Sequence, residues 1–210
     1  MAGKRQLRNP NYLKAVVIVH GKSELDIVKY ITSNLHLNIK PYSKDNGTHS
    51  IQITSLIKEH LNKKTFSTMN NFLKEYDVET TGTGKNKKLV NFKLFIITDT
   101  DDCTEQQKQD FISGAMFEGH WLAPYIVPVY SITNLEDVMV ESGIMTKRIK
   151  CDDKGSYYSK IFPINKKPLS NDTIAEIKTF RDRLAKSVKK KHTNLPDFIE
   201  YCLANIKQFK

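Results

Sequence analysis

The segment Lys93 to Asp102, KLFIITDTDD, leaves few folds open to this chain. Leu94 to Ile97 is continuously apolar and, with Thr98, runs straight into Asp99, Asp101 and Asp102. An unbroken apolar run of strand length, without polar alternation, is the pattern of a strand buried on both faces. Such strands belong to mostly parallel sheets covered by helices. Ligands of open α/β sheets sit beyond the carboxyl ends of the strands, so the three carboxylates mark where a site is expected.

Two further segments repeat the pattern. Lys14 to Val19, KAVVIV, is a second apolar run; it breaks at His20-Gly21, and a helix follows almost without a loop. Ser23 and Asp26 form a capping-box-like pair, and Leu25, Ile27, Val28, Ile31 and Leu35 recur on one helical face. Tyr125 to Tyr130, YIVPVY, is a third strand, and its Pro128 predicts a short strand or one near an edge. It leads into a helix with Glu136 and Asp137 in the first turn, where the helix dipole favours acids.

Between these segments the pattern predicts a strand at 37–42, a polar turn at 43–47, and helices over 50–63, 65–77 and 104–118. Residues 80–88, TTGTGKNKK, read as a loop. Beyond Gly143 the chain is irregular and basic to about 168, then helical over 171–191 and 195–207. The expected organisation is a basic tail (1–12), an α/β domain (13–144) and a mainly helical, basic C-terminal extension (145–210).

Length matters because 210 residues suffice to bury a core without staples. The 33 Lys and Arg against 23 Asp and Glu leave a net charge of +10, which favours a polyanionic partner such as nucleic acid. A solvated lysine-rich surface has the same composition. Cys103, Cys151 and Cys202 are far apart, odd in number and lack CxxC spacing, which argues against a disulfide framework or a zinc cluster. No apolar run approaches the roughly 18 residues of a membrane span, and no apolar segment follows the basic N-terminus. The expectation is a soluble, cytoplasmic protein.

Right-handed crossovers would bring all the strand ends to one edge. His20 and Glu24, Asp99 and Asp101, and Glu136 and Asp137 would then converge, with Asp102 in support. Crowded carboxylates repel one another and raise each other's pKa, so a cation is their natural partner; an all-oxygen set suits Mg²⁺ or Mn²⁺. Taken singly, each acid also suits a solvated turn or a helix start, and His20 a structural turn residue. Gly21-Lys22-Ser23 ends like a Walker A loop, but the earlier glycine would fall at Val16, inside the strand. No G-x-S-x-G nucleophile elbow occurs.

With these residues assembled, VVIVHGKSELDIV followed by FIITDTDD resembles the TOPRIM domain shared by topoisomerases, primases and OLD-type and RloB-type nucleases. On that resemblance His20 stands where the family has its first glutamate, and Gly21 matches the glycine after it. Glu24 matches the second acid of the OLD-type arrangement, Asp99 and Asp101 match its Asp-x-Asp, and Glu136 matches a further metal-binding acid. The resemblance covers about 15–140 and implies a TOPRIM-like, Rossmann-like α/β fold. It also implies a metal-dependent phosphodiesterase acting on DNA or RNA, in anti-phage defence or nucleic-acid processing.

Catalysis would then fall to His20, Glu24, Asp99 and Asp101, and metal binding to Glu24, Asp99, Asp101, Glu136 and Asp137. Histidine at position 20 is the departure: imidazole prefers softer ions, though neutral it can bind Mn²⁺ or move a proton. The alternatives are a catalytically degenerate module that only binds nucleic acid, or a subunit of a larger defence complex with a protein partner such as an ATPase. A homo-oligomer fits as well. Lys22, the loop residues Lys85, Lys87 and Lys88, and the run Lys189, Lys190 and Lys191 are candidate phosphate contacts, each also readable as ordinary exposed lysine.

Overall fold

The apolar runs become the strands of a sheet because no other placement buries both of their faces. The computed structural model of the chain describes residues 11–149, 154–164, 167–188 and 191–206. Its strands are β1 (Ala15–Val19), β2 (Ile39–Tyr42), β3 (Thr80–Thr81), β4 (Lys88–Leu89), β5 (Lys93–Asp99) and β6 (Ile126–Ser131). Its helices are α1 (Lys22–Asn34), α2 (Lys64–Ser67), α3 (Met69–Glu75), α4 (Glu105–Ser113), α5 (Leu135–Glu141), α6 (Lys154–Ile161), α7 (Asn171–Val188) and α8 (Leu195–Ala204).

Four strands form one all-parallel sheet in the order β2-β1-β5-β6. The chain leaves β1 through α1 toward β2 on one side, and leaves β5 through α4 toward β6 on the other. The strand order therefore reverses between β1 and β5, which opens a crevice at their carboxyl ends. This is an α/β, Rossmann-like arrangement with helices on both faces.

Alternation along each strand sorts the core into two layers. Val16, Ile18, Leu94 and Ile96 pack on one face with Leu56, Leu61, Phe66, Phe72 and Phe111. Val17, Val19, Phe95, Ile97 and Val129 pack on the other with α1, α5 and the C-terminal helices, which contribute Tyr158, Phe162, Ile177, Phe180, Leu184, Phe198 and Ile199. The segment after 144 thus supplies much of the cover for this second face of the sheet.

Pro128 does sit in an edge strand, and the edge is covered. Asn194 Oδ1 accepts from the Tyr130 amide (2.8 Å), and Asn194 Nδ2 donates to the Pro128 carbonyl (3.0 Å). The Ile132 amide donates to the His192 carbonyl (2.7 Å). The Asn194 side chain thus pairs polar backbone groups on the side of the strand that no neighbouring strand covers.

Several local expectations are corrected. Residues 50–63 are not a regular helix: the chain turns through 50–55, burying Ile53, and then winds a wide π-helical segment, Leu56–Leu61, which buries Leu56 and Leu61. The helix expected over 65–77 is broken at Thr68, which is extended and whose Oγ1 accepts from the Asn71 amide to start α3. The 80–88 loop contains the antiparallel β3–β4 hairpin. The irregular stretch after 145 contains α6. Among the described residues no helix is long and apolar enough to cross a membrane. Residues 1–10 of the basic tail, Cys151, Lys189 and Lys190 lie outside the described residues.

Candidate functional site

At the crevice between β1 and β5 lies a cleft of about 550 Å³, lined by His20, Gly21, Lys22, Ser23, Glu24, Asp99, Asp101, Asn134, Glu136 and Arg148, with Gly47, Thr48 and Ser50 on one wall. Each group is delivered by an element whose start or end the sequence dictates. The helix α1 begins at Lys22 because Gly21 is extended, and the Glu24 carboxylate accepts from the Gly21 amide (Oε2, 2.9 Å). The capping pair is therefore Gly21 with Glu24 rather than Ser23 with Asp26; Asp26 instead pairs with Lys22 one turn earlier. Gly47, with φ of +84°, packs against this junction so closely that an added Cβ would lie 2.9 Å from the Lys22 Cα. Only glycine combines that backbone with that approach.

His20 is locked in place. Its amide donates to the Ile97 carbonyl and its carbonyl accepts from the Ile51 amide, both at 2.8 Å. Its Nδ1 lies 3.1 Å from the Ile51 carbonyl oxygen. A carbonyl oxygen only accepts, so Nδ1 carries the hydrogen and Nε2 is the basic nitrogen of the neutral ring.

The carboxylates form a buried, mutually repelling group. Asp99 is 7% exposed, Glu24 5% and Glu136 9%. Burial first, then the charges of Glu24, Asp101 and Glu136, push Asp99 up to about 9, against a pull from the Leu135 amide. Its Oδ1 is buried without a hydrogen-bond partner. Glu24 is raised by burial and by Glu136, with His20 opposing. Asp102 is also raised, chiefly by burial, and neither of its oxygens makes a hydrogen bond of ordinary geometry. Asp101 is exposed at the cleft.

Glu136 enters from α5, whose start is set by Asn134: its Oδ1 accepts from the Asp137 amide at 3.0 Å. Ser23 Oγ lies 3.5 Å from Glu136 Oε1. Asp137 does not line the cleft. Its carboxylate is taken up by Arg148 in a two-point ion pair and by Asn134 Nδ2 (3.1 Å). The effect is to hold Arg148 at the cleft wall.

The donor chemistry of Glu24, Asp99, Asp101 and Glu136 fits a hard divalent cation: all ligands are carboxylate oxygens, two of them raised by burial and mutual repulsion, and one oxygen is orphaned. The geometry is not drawn in, because among the described residues no three His, Cys, Asp or Glu side chains are assembled to hold an ion. An ion would have to gather carboxylates that now stand apart.

The candidate lysines divide by edge. Lys22 lines the cleft. Lys191 is exposed beside the His192 contact to Ile132, at the carboxyl end of β6. Lys85, Lys87 and Lys88 lie in and beside the hairpin, whose Leu89 amide reaches the Tyr125 hydroxyl just before β6 begins. That is the amino edge of the sheet, about 20 Å from the cleft along a seven-residue strand.

Sequence reasoning missed Ser23, Asn134 and Arg148. Asn134 had a signal, an asparagine directly ahead of an acidic first turn. Arg148 had none, because tertiary packing alone brings it to this edge. No protein-family model, curated protein or solved structure matches this chain.

Proposed function

We propose that the cleft is the active site of a divalent-metal-dependent phosphodiesterase acting on nucleic acid, in a TOPRIM-like arrangement. The observation that carries this reading is Asp99: a carboxylate at the end of the central strand, almost fully buried, with an orphaned oxygen and two acids from neighbouring elements beside it. A buried, uncompensated acidic group of this kind is costly to the fold unless a cation enters. Perturbed carboxylates in a cleft are also where catalytic sites concentrate.

Glu24, Asp99, Asp101 and Glu136 would hold Mg²⁺ or Mn²⁺, which when bound polarises a phosphoryl oxygen and lowers the pKa of a water molecule. His20, with Nδ1 committed to Ile51, offers Nε2 to accept a proton from the attacking water. Lys22 and Arg148 stand on the cleft wall, paired with Asp26 and Asp137, and would contact the phosphodiester by exchanging those carboxylates for it, while the net charge of +10 draws in the polyanion from a distance. The resemblance that suggests the role extends to anti-phage defence, with a protein partner such as an ATPase subunit, or with nucleic-acid binding alone.

A second reading has one specific observation in its favour. His20, in place of an acid, is tied to Ile51 on one side and leaves fewer charged ligands for a hard ion, which suits a module that binds nucleic acid without cutting it. Cleavage of labelled single- and double-stranded DNA and RNA with Mg²⁺, Mn²⁺ or EDTA separates the two. Metal-dependent cleavage that disappears in Asp99→Ala is the expected result. Salt-sensitive binding without any cleavage would leave the binding module. Renewed cleavage in His20→Glu would then mark the native site as degenerate.

A further inference from the structure

Tyr158 lies on α6, in the part of the chain outside the family resemblance, and its side chain is 0% exposed. Its ring packs against Phe162, with centroids 5.8 Å apart. Its hydroxyl, however, is buried without a hydrogen-bond partner. It lies beside Ser23 and close enough to Glu136, Glu24 and Asp99 for all three to act on it, yet it makes no hydrogen bond of ordinary geometry. A buried tyrosine normally finds a partner for its O–H, and an unsatisfied one is costly. Ser23 stands between, itself buried, with Oγ 3.5 Å from Glu136 Oε1.

We infer that Tyr158 is a positioning residue of the acidic cleft, completing a relay in which its O–H donates to Ser23 Oγ and the Ser23 O–H donates to Glu136. The inference rests on the metal-dependent reading of the cleft. The chemistry is directional. Ser23 has one hydrogen to give, and a hydroxyl that accepts a hydrogen bond gives a stronger one. With Tyr158 behind it, Ser23 can hold one Glu136 oxygen and leave the other turned to a cation. The Ser23–Glu136 contact is long as it stands, at 3.5 Å, and the Tyr158 hydroxyl has no partner of ordinary geometry. Groups behind the ligands set their orientation, and losing one weakens metal binding by about 10–100-fold. The C-terminal helices would then belong to the site as well as to the core.

The test is metal binding to the full chain, followed by calorimetry with Mn²⁺ and by tyrosine-sensitised luminescence of Tb³⁺, another hard oxygen-seeking ion. Native protein, Tyr158→Phe, Ser23→Ala and Asp99→Asn are compared, with the melting temperature in EDTA measured for each. Tyr158→Phe keeps the ring and its packing. The expected result is Mn²⁺ affinity at least about tenfold weaker in both Tyr158→Phe and Ser23→Ala. Sensitised Tb³⁺ emission should also be lost in Tyr158→Phe beyond what its weaker binding explains. Mn²⁺ affinity within twofold of native in Tyr158→Phe overturns the relay while leaving the metal site standing. If Tyr158→Phe fails to fold, native-like affinity in Ser23→Ala overturns the relay in the same way. Native protein that binds neither ion, with Asp99→Asn no different, overturns the metal reading itself, and the relay with it.

Discussion

Asp99 is an acid that the fold buries among other acids. Its carboxyl is pushed from an ordinary value of 3.8 up to about 9, so the folded protein binds that proton far more tightly than the unfolded chain does. The associated stability is fully present below about pH 4 and is lost as pH rises toward 9. Asp99→Asn removes the titration and keeps the shape. In EDTA the variant should therefore melt higher than the native protein at pH 8, by at least about 1 kcal/mol in stability, with the gap closing toward pH 4. Thermal melts across that range check it. A variant less stable than native at pH 8 would mean that the Asp99 charge is already compensated. Glu24, raised by the same burial, adds to the same slope.

At the scale of elements, the edge strand β6 shows how a weak strand is kept in a parallel sheet. It pairs with β5 on one side only. Its outer side is met by the loop before α8, with Asn194 bridging the Tyr130 amide and the Pro128 carbonyl. Asn194→Ala strips both bonds from a half-buried strand and should cost about 1–3 kcal/mol. Faster amide exchange at Tyr130, with Ile97 in the central strand unchanged, would localise the loss to the edge. Uniform acceleration across the sheet would instead show that the latch supports the whole fold. The strand β6 also leads into Asn134 and Glu136, so loosening it should weaken whatever the cleft binds.

At the scale of the whole molecule, one sheet face depends on helices that follow the α/β segment by tens of residues. Val17, Val19, Phe95 and Ile97 pack in the same core as Ile177, Leu184, Phe198 and Ile199. Each large apolar side chain left exposed forfeits about 1.5–3 kcal/mol, against a typical total stability of about 5–15 kcal/mol. A fragment of residues 13–144 should therefore lack a cooperative thermal transition and bind a hydrophobic dye. A sharp transition in that fragment would show the α/β segment to be self-sufficient. Tyr201 makes the same connection in polar form, its hydroxyl donating to the Lys14 carbonyl at 2.9 Å at the start of β1.

What the sequence determined by itself is whatever depends on short-range pattern. The doubly apolar runs at 15–19 and 94–97 dictate buried parallel strands, because only burial on both faces removes such surface from water. The polar residues that follow those runs and the strand at 126–131 emerge at the carboxyl edge, so His20, Glu24, Asp99, Asp101 and Glu136 were legible as neighbours. Local competition decided the rest of the secondary structure: residues 50–63 have helical apolar spacing, yet tertiary contacts of Ile51 with His20 hold the first part in a turn. Only the tertiary structure decided that Asp137 serves Arg148, that Lys85, Lys87 and Lys88 belong to the far edge, and that the Tyr158 hydroxyl is buried without a partner. These facts depend on how distant segments cross the sheet. No periodicity within a segment records which residue of another segment it will meet.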